Sequence, residues 1–176
     1  GRRMCGASGQ RPDQILTTYD LIGQLKRARP VIVIIKLLTN NATQLDSGVW
    51  PFSVAIALND LGTVLDIINS FDPGIEIIVC DVIPNTDNDV DAIVDQMNSG
   101  LVTLRTGKSY SARIHIAPCN SYIKANGNWA VDYYTVDNTH INTGGKIVDA
   151  NAIYSVFTSD FTVMPRNPAG RRRSIR

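Results

Sequence analysis

A chain of 176 residues, 44% apolar and 19% charged, has the size and balance of one globular domain with a real core. Its net charge is only +1, and seven arginines sit at the two ends (Arg2, Arg3, Arg166, Arg171, Arg172, Arg173 and Arg176) with no acid beside them, so the body carries about −6. An acidic body argues against a nucleic-acid face, no apolar run reaches the roughly 20 residues of a membrane span, and the start, Gly1 to Gly6, lacks a signal-peptide stretch.

Gln14 to Ala28 carries Ile15, Leu16, Tyr19, Ile22 and Leu25 at helical spacing, and Pro30 ends the pattern. Val31 to Leu38 is an aliphatic run broken only by Lys36, which predicts a parallel strand covered on both faces. Thr39 to Pro51 reads as a loop. Phe52 to Ser70 is the next helix, with Val54, Leu58, Leu61, Leu65 and Ile68 on one face. Asp72-Pro73-Gly74 makes a turn, and Ile75 to Ile83 is a second buried strand closed by Pro84. After a polar loop, Val90 to Leu104 is amphipathic. Ser111 to Ala117 is a short third strand, Asn120 to Thr143 a long polar loop, and Gly145 to Phe157 a last helix. Residues 1–160 make the domain, and 161–176 are expected to be a basic, disordered tail.

Alternating strands and helices imply an α/β fold with a parallel sheet between helical layers. Ligands of such sheets bind beyond the C-terminal ends of the strands. Chemistry is therefore expected in Leu38 to Thr43, Pro84 to Asp89 and Asn120 to His140. Three cysteines, Cys5, Cys80 and Cys119, form neither a disulfide framework nor a CxxC metal motif, and Cys80 reads as buried.

His115 lies inside a strand pattern and reads as a packed or edge histidine. His140 lies in a loop, three residues after Asp137; a histidine base needs such a carboxylate to orient it, although the spacing alone is common. Asn40 follows the first strand, where an amide could donate to an oxyanion or merely shape a turn. Ser8 sits in neither a GxSxG nor a GDS block and reads as a loop serine. Asn41-Ala42-Thr43 is a glycosylation sequon of a kind common by chance.

Four blocks, in this order, carry a resemblance: GASGQRPDQIL from Gly6, PVIVIIKLLTNNA from Pro30, PGIEIIVCDVIPNTDNDVDAIVDQMNSGL from Pro73, and DNTHINTGGKIVDA from Asp137. The chain resembles SGNH (GDSL-type) hydrolases, and within them carbohydrate esterase family three, whose last block is written DxxHPNxxGYxxMA. The resemblance implies a three-layer, flavodoxin-like sheet of strand order 2-1-3-4-5. It implies His140 as general base, Asp137 as its orienting carboxylate, and Asn40 and the Gly6 amide as oxyanion donors. It implies an acylated carbohydrate or other small ester as substrate and no metal or cofactor. It suggests secretion, which no residue here shows.

Several positions depart from the family pattern. Leu38 replaces the glycine of the GTND block and Asn41 its aspartate; Ile141 replaces the proline after the histidine, and Met4 an asparagine. The Gly-Asp-Ser turn that supplies the nucleophile is absent, and with it the first two strands. The reading is thus a truncated or degenerate esterase domain, nearly inactive as this chain alone, with a partner segment expected to complete the sheet. The alternative is a glycan-binding or scaffold pseudoenzyme of the same fold. A flavin or nucleotide module ranks last, because no Gly-rich phosphate loop follows a strand.

Overall fold

The computed structural model of the protein describes residues 10–48, 53–134 and 140–161. Gly6, Ser8, Asp137 and the arginine-rich tail lie outside the described residues.

The first helical pattern folds as two helices, α1 (Pro12–Thr18) and α2 (Leu21–Ala28). Pro12 opens α1 with its φ already helical, and Tyr19 breaks the run in an extended conformation. Asp20 starts α2 afresh, its Oδ1 accepting the Gly23 N–H at 2.8 Å. Arg29, in the left-handed region at φ 44°, and Pro30 end it.

Strand β1 (Ile32–Ile35) is followed by α3 (Thr39–Asp46), where the sequence predicts a loop. Short polar helices escape a reading based on apolar periodicity, and α3 is polar throughout except for Ala42 and Leu45. Ser53 caps α4 (Val54–Phe71), and β2 (Glu76–Cys80) follows. Asp87 caps α5 (Asn88–Thr106). A 3-10 turn at Ser111–Arg113 takes the first half of the predicted third strand, leaving β3 (Ile114–Ala117). The predicted long loop contains two further helices, α6 (Cys119–Lys124) and α7 (Trp129–Asp132), before α8 (Thr143–Ser159).

The sheet is parallel, in the order β1-β2-β3, with Ile32 opposite Glu76 and Ile77 opposite Ile114. On one face Val33, Ile35, Ile77, Val79 and Ile114 pack against Leu61, Leu65 and Ile68 of α4 and Val94 and Met97 of α5. On the other, Ile78, Cys80 and Ala117 pack against Ile123 of α6 and Ala152 and Val156 of α8. The result is the α/β/α layering that the alternation predicts.

By length and composition alone α4 could cross a membrane, with 18 residues of mean hydropathy 1.3. Its apolar character is accounted for by the core it packs into, where Ala57, Leu61, Val64, Leu65 and Ile68 are all buried.

Among the described residues the outer edge of β1 has no strand beside it. Val31 there is 72% exposed and Ile34, on the α8 side of the sheet, 48%. Bare aliphatic edges of this kind invite pairing.

Candidate functional site

The C-terminal ends of the three strands share one rim, and the segments leaving them build the candidate site. After β1 the backbone turns at Leu38, which is 1% exposed and sits at φ 80°, ψ −21°. Glycine enters that region freely, whereas a side chain there costs about 1–2 kcal/mol. The burial of Leu38 offsets the cost. Asn40 and Asn41 fall in the first turn of α3, whose N–H groups have no acceptor within the helix. Asn40 is half-buried at the rim. Asn41 is fully buried, and neither atom of its amide has a hydrogen-bond partner.

After β2 the rim is held by amides. Asn98 of α5 both donates to and accepts from the Val82 backbone, and the Asn120 side chain also donates to the Val82 carbonyl, at 2.9 Å. Asp81 accepts the Asn120 N–H at 2.7 Å. Burial lifts its carboxyl to about 6, against the Asn120 and Cys119 N–H groups, which pull it down; nearby Asp149 adds to the rise and Lys36 opposes it. Lys36, at the end of β1, forms an ion pair with Asp149 of α8. The other Asp149 oxygen, Oδ1, is buried without a partner.

His140 stands exposed just ahead of α8. Its neighbour Ile141 makes an antiparallel bridge with Tyr134. The Tyr134 hydroxyl donates to the Pro84 carbonyl beyond β2, which anchors Tyr134 past the C-terminal end of that strand. Burial, then the charges of Asp91 and Asp149, push the Tyr134 phenol up, so it remains a donor.

Cys80 and Cys119 are buried free thiols. A hydrogen bond to Cys80, then burial, push the Cys119 thiol up, so no thiolate nucleophile forms there. His115 is buried in β3, away from the rim, as a packed histidine should be. Among the described residues no group of three or more His, Cys, Asp or Glu could hold a metal ion.

The structure places Asn40 in the first turn of α3, after β1, and His140 just ahead of α8, while Gly6 and Asp137 lie outside the described residues. Sequence reasoning missed the cluster of Lys36, Asp81 and Asp149. Its signal was available: Lys36 is the one polar residue in the β1 run, and Asp149 falls on the buried stripe of α8 with Gly145, Ala152 and Val156.

No family model and no curated protein matches this sequence. Solved structures match its fold. A carbohydrate esterase family 3 protein from Talaromyces cellulolyticus superposes with a TM-score of 0.71 at 21% identity, over 90% of this chain and 72% of that one. A family 3 carbohydrate esterase from Clostridium thermocellum gives 0.67 at 17% identity, over 87% and 67%. A GDSL-like lipase from Parabacteroides merdae gives 0.71 at 18% identity, over 88% and 71%. The chain has an SGNH/GDSL hydrolase-like fold, with the three-stranded sheet that the resemblance predicts.

Proposed function

We propose that this chain is the base-carrying part of an SGNH-type serine esterase domain that removes acetyl groups from carbohydrates. The observation that supports the reading is the edge of β1, which among the described residues no strand covers, with Asn40 on the segment that follows that strand. A strand paired there would end next to Asn40, which is where a nucleophilic serine is needed. The serine would come from a separate segment that also covers Val31 and Ile34.

In this reading the serine attacks the ester carbonyl while His140 takes its proton. Asp137 orients the imidazole and stabilises its cation. The Asn40 amide and the Gly6 N–H stabilise the oxyanion. His140 returns the proton to the leaving sugar hydroxyl, then activates the water that hydrolyses the acyl-enzyme. These steps call for no metal or cofactor.

Two features of the block that begins at Pro30 favour a second reading, a non-catalytic glycan-binding or scaffold domain. Leu38 holds a backbone conformation suited to glycine, and Asn41 is buried with an unpaired amide. Both support this reading, because an unpaired buried amide and a strained backbone are at odds with a preorganised oxyanion site.

The test is p-nitrophenyl acetate turnover by this chain and by the chain preceded by its upstream coding sequence, each beside His140→Ala. The proposal expects background rates from this chain alone, and turnover from the longer protein that His140→Ala removes. Turnover by this chain alone would place the nucleophile within it. A longer protein that binds acetylated sugar without turnover would establish the second reading.

A further inference from the structure

We infer that Asn142 is a positioning residue for His140, an inference that rests on the reading of His140 as base and Asp137 as its orienting carboxylate. Residues 133–134 and 141–142, which flank the stretch that holds Asp137, are paired with each other. Tyr134 and Ile141 form an antiparallel bridge, and the Asn142 N–H donates to the Tyr133 carbonyl at 2.8 Å.

The Asn142 side chain adds a second layer to that junction. Its Nδ2 donates to the Asp132 carbonyl at 2.8 Å and to the Tyr134 carbonyl at 3.3 Å. Its Oδ1 accepts the Gly145 N–H at 3.1 Å, capping α8. A cap needs only an acceptor. The two donated bonds do something else: they tie residues 132–134 to the start of α8, on either side of the stretch that holds Asp137. Of the small capping side chains only asparagine offers an acceptor together with two N–H donors; aspartate and serine cannot make all three bonds.

The clamp is referenced to the rim. Tyr134 is fixed through its hydroxyl to Pro84, and its ring meets Trp129 edge-on at 5.6 Å between centroids. His140, one residue before the bridge, therefore has its backbone held relative to β2. Close approach is built in as well, since a Cβ on Gly145 would lie 2.6 Å from the Tyr133 carbonyl oxygen. Asn142 touches no reacting atom in this reading; it acts through the direction of the imidazole.

The experiment reads the His140 tautomer from imidazole 15N shifts, in the unaltered chain and in Asn142→Ala, Asn142→Ser and Asp137→Asn. The chain has two histidines, so His140→Ala assigns the signals and His115 reports folding. The unaltered chain is expected to hold one tautomer, Nδ1–H, and Asp137→Asn to give a mixture. Asn142→Ala should lower Tm and give the mixture. Asn142→Ser restores an acceptor for the Gly145 N–H and should recover most of the Tm while the mixture persists. Recovery of both Tm and tautomer by Asn142→Ser would reduce Asn142 to a helix cap and overturn the inference, as would a single tautomer in both variants. A mixture in the unaltered chain, or no change in Asp137→Asn, would instead sink the underlying reading of the pair and this inference with it.

Discussion

Asn98 and Val82 are locked by a reciprocal pair of hydrogen bonds: Asn98 Nδ2 donates to the Val82 carbonyl at 2.9 Å, and Asn98 Oδ1 accepts the Val82 N–H at 2.8 Å. The amide of a helix residue thus stands in for a neighbouring strand just where β2 ends. Val82 is 1% exposed, so water cannot replace the lost partner. Asn98→Ala is expected to cost about 1–3 kcal/mol by orphaning the buried Val82 N–H, and Asn98→Asp less, because a carboxylate still accepts that N–H and the Asn120 side chain still donates to the Val82 carbonyl. Urea unfolding with an unchanged m-value checks both.

Asp81 yields a pH dependence of definite sign. Its folded pKa of about 6 lies above its ordinary value of 3.8. The native state therefore holds the proton more tightly. That contribution is fully present below about pH 4 and is lost as pH rises through about 6. Asp81→Asn, which keeps an acceptor for the Asn120 N–H, should be more stable than the parent by about 1–2 kcal/mol at pH 8. The difference should vanish below about pH 4. Comparing Tm of the two across this range tests it; a gap that is constant with pH would mean that Asp81 does not titrate there.

His115 joins three elements. Its Nδ1 lies 2.7 Å from Asp160 Oδ2 at the end of α8, and its Nε2 3.0 Å from Glu76 Oε2 on β2. The Ser159 hydroxyl and then His115 hold the Asp160 carboxyl below its ordinary range. A lowered carboxyl contributes stability that is present above its unfolded pKa and lost as pH falls through the folded one. A double-mutant cycle of His115→Gln with Asp160→Asn should give a coupling of about 0.5–1 kcal/mol, modest because Asp160 is partly exposed. The coupling should shrink in acid, and a value of zero at neutral pH would show that the contact carries no energy.

Gly145 lies where α8 meets the residues before the His140 loop. An added Cβ would fall 2.6 Å from the Tyr133 carbonyl oxygen and 2.9 Å from Ile141 Cβ. Gly145→Ala should therefore cost about 1–3 kcal/mol, despite the better helix propensity of alanine. By contrast Gly127, with nothing within 4 Å of its added Cβ, should accept alanine almost without cost. Thermal melts of the two variants side by side test the contrast.

Much of this architecture was legible in the chain. The aliphatic runs of β1 and β2 announced parallel strands, although Ile34 leaves one face of β1 half open, and the threefold and fourfold apolar spacing marked α4, α5 and α8. Lys36 was visible as an interruption, but its partner was not, because Asp149 lies 113 positions away. Helices α3, α6 and α7 went unread for a different reason. They have eight, six and four residues and little apolar periodicity, so packing and neighbouring loops stabilise them rather than intrinsic preference. The division of the first helix at Tyr19 is likewise a matter of capping, decided by Asp20.

By itself the sequence determined the layer order, the strands and long helices, and the positions of Asn40 and His140 on segments that follow strands. These depend on side-chain periodicity, which is local and sets which face each element buries. Only the tertiary structure decided that Asp81 would be half-buried near the Asp149–Lys36 pair, that Leu38 would turn through a left-handed conformation, and that the Asn142 side chain would tie residues 132–134 to the start of α8. Those features depend on distances between elements far apart in the chain. Such distances arise only once the two apolar faces of the sheet have been covered and the remaining polar groups must find partners within reach.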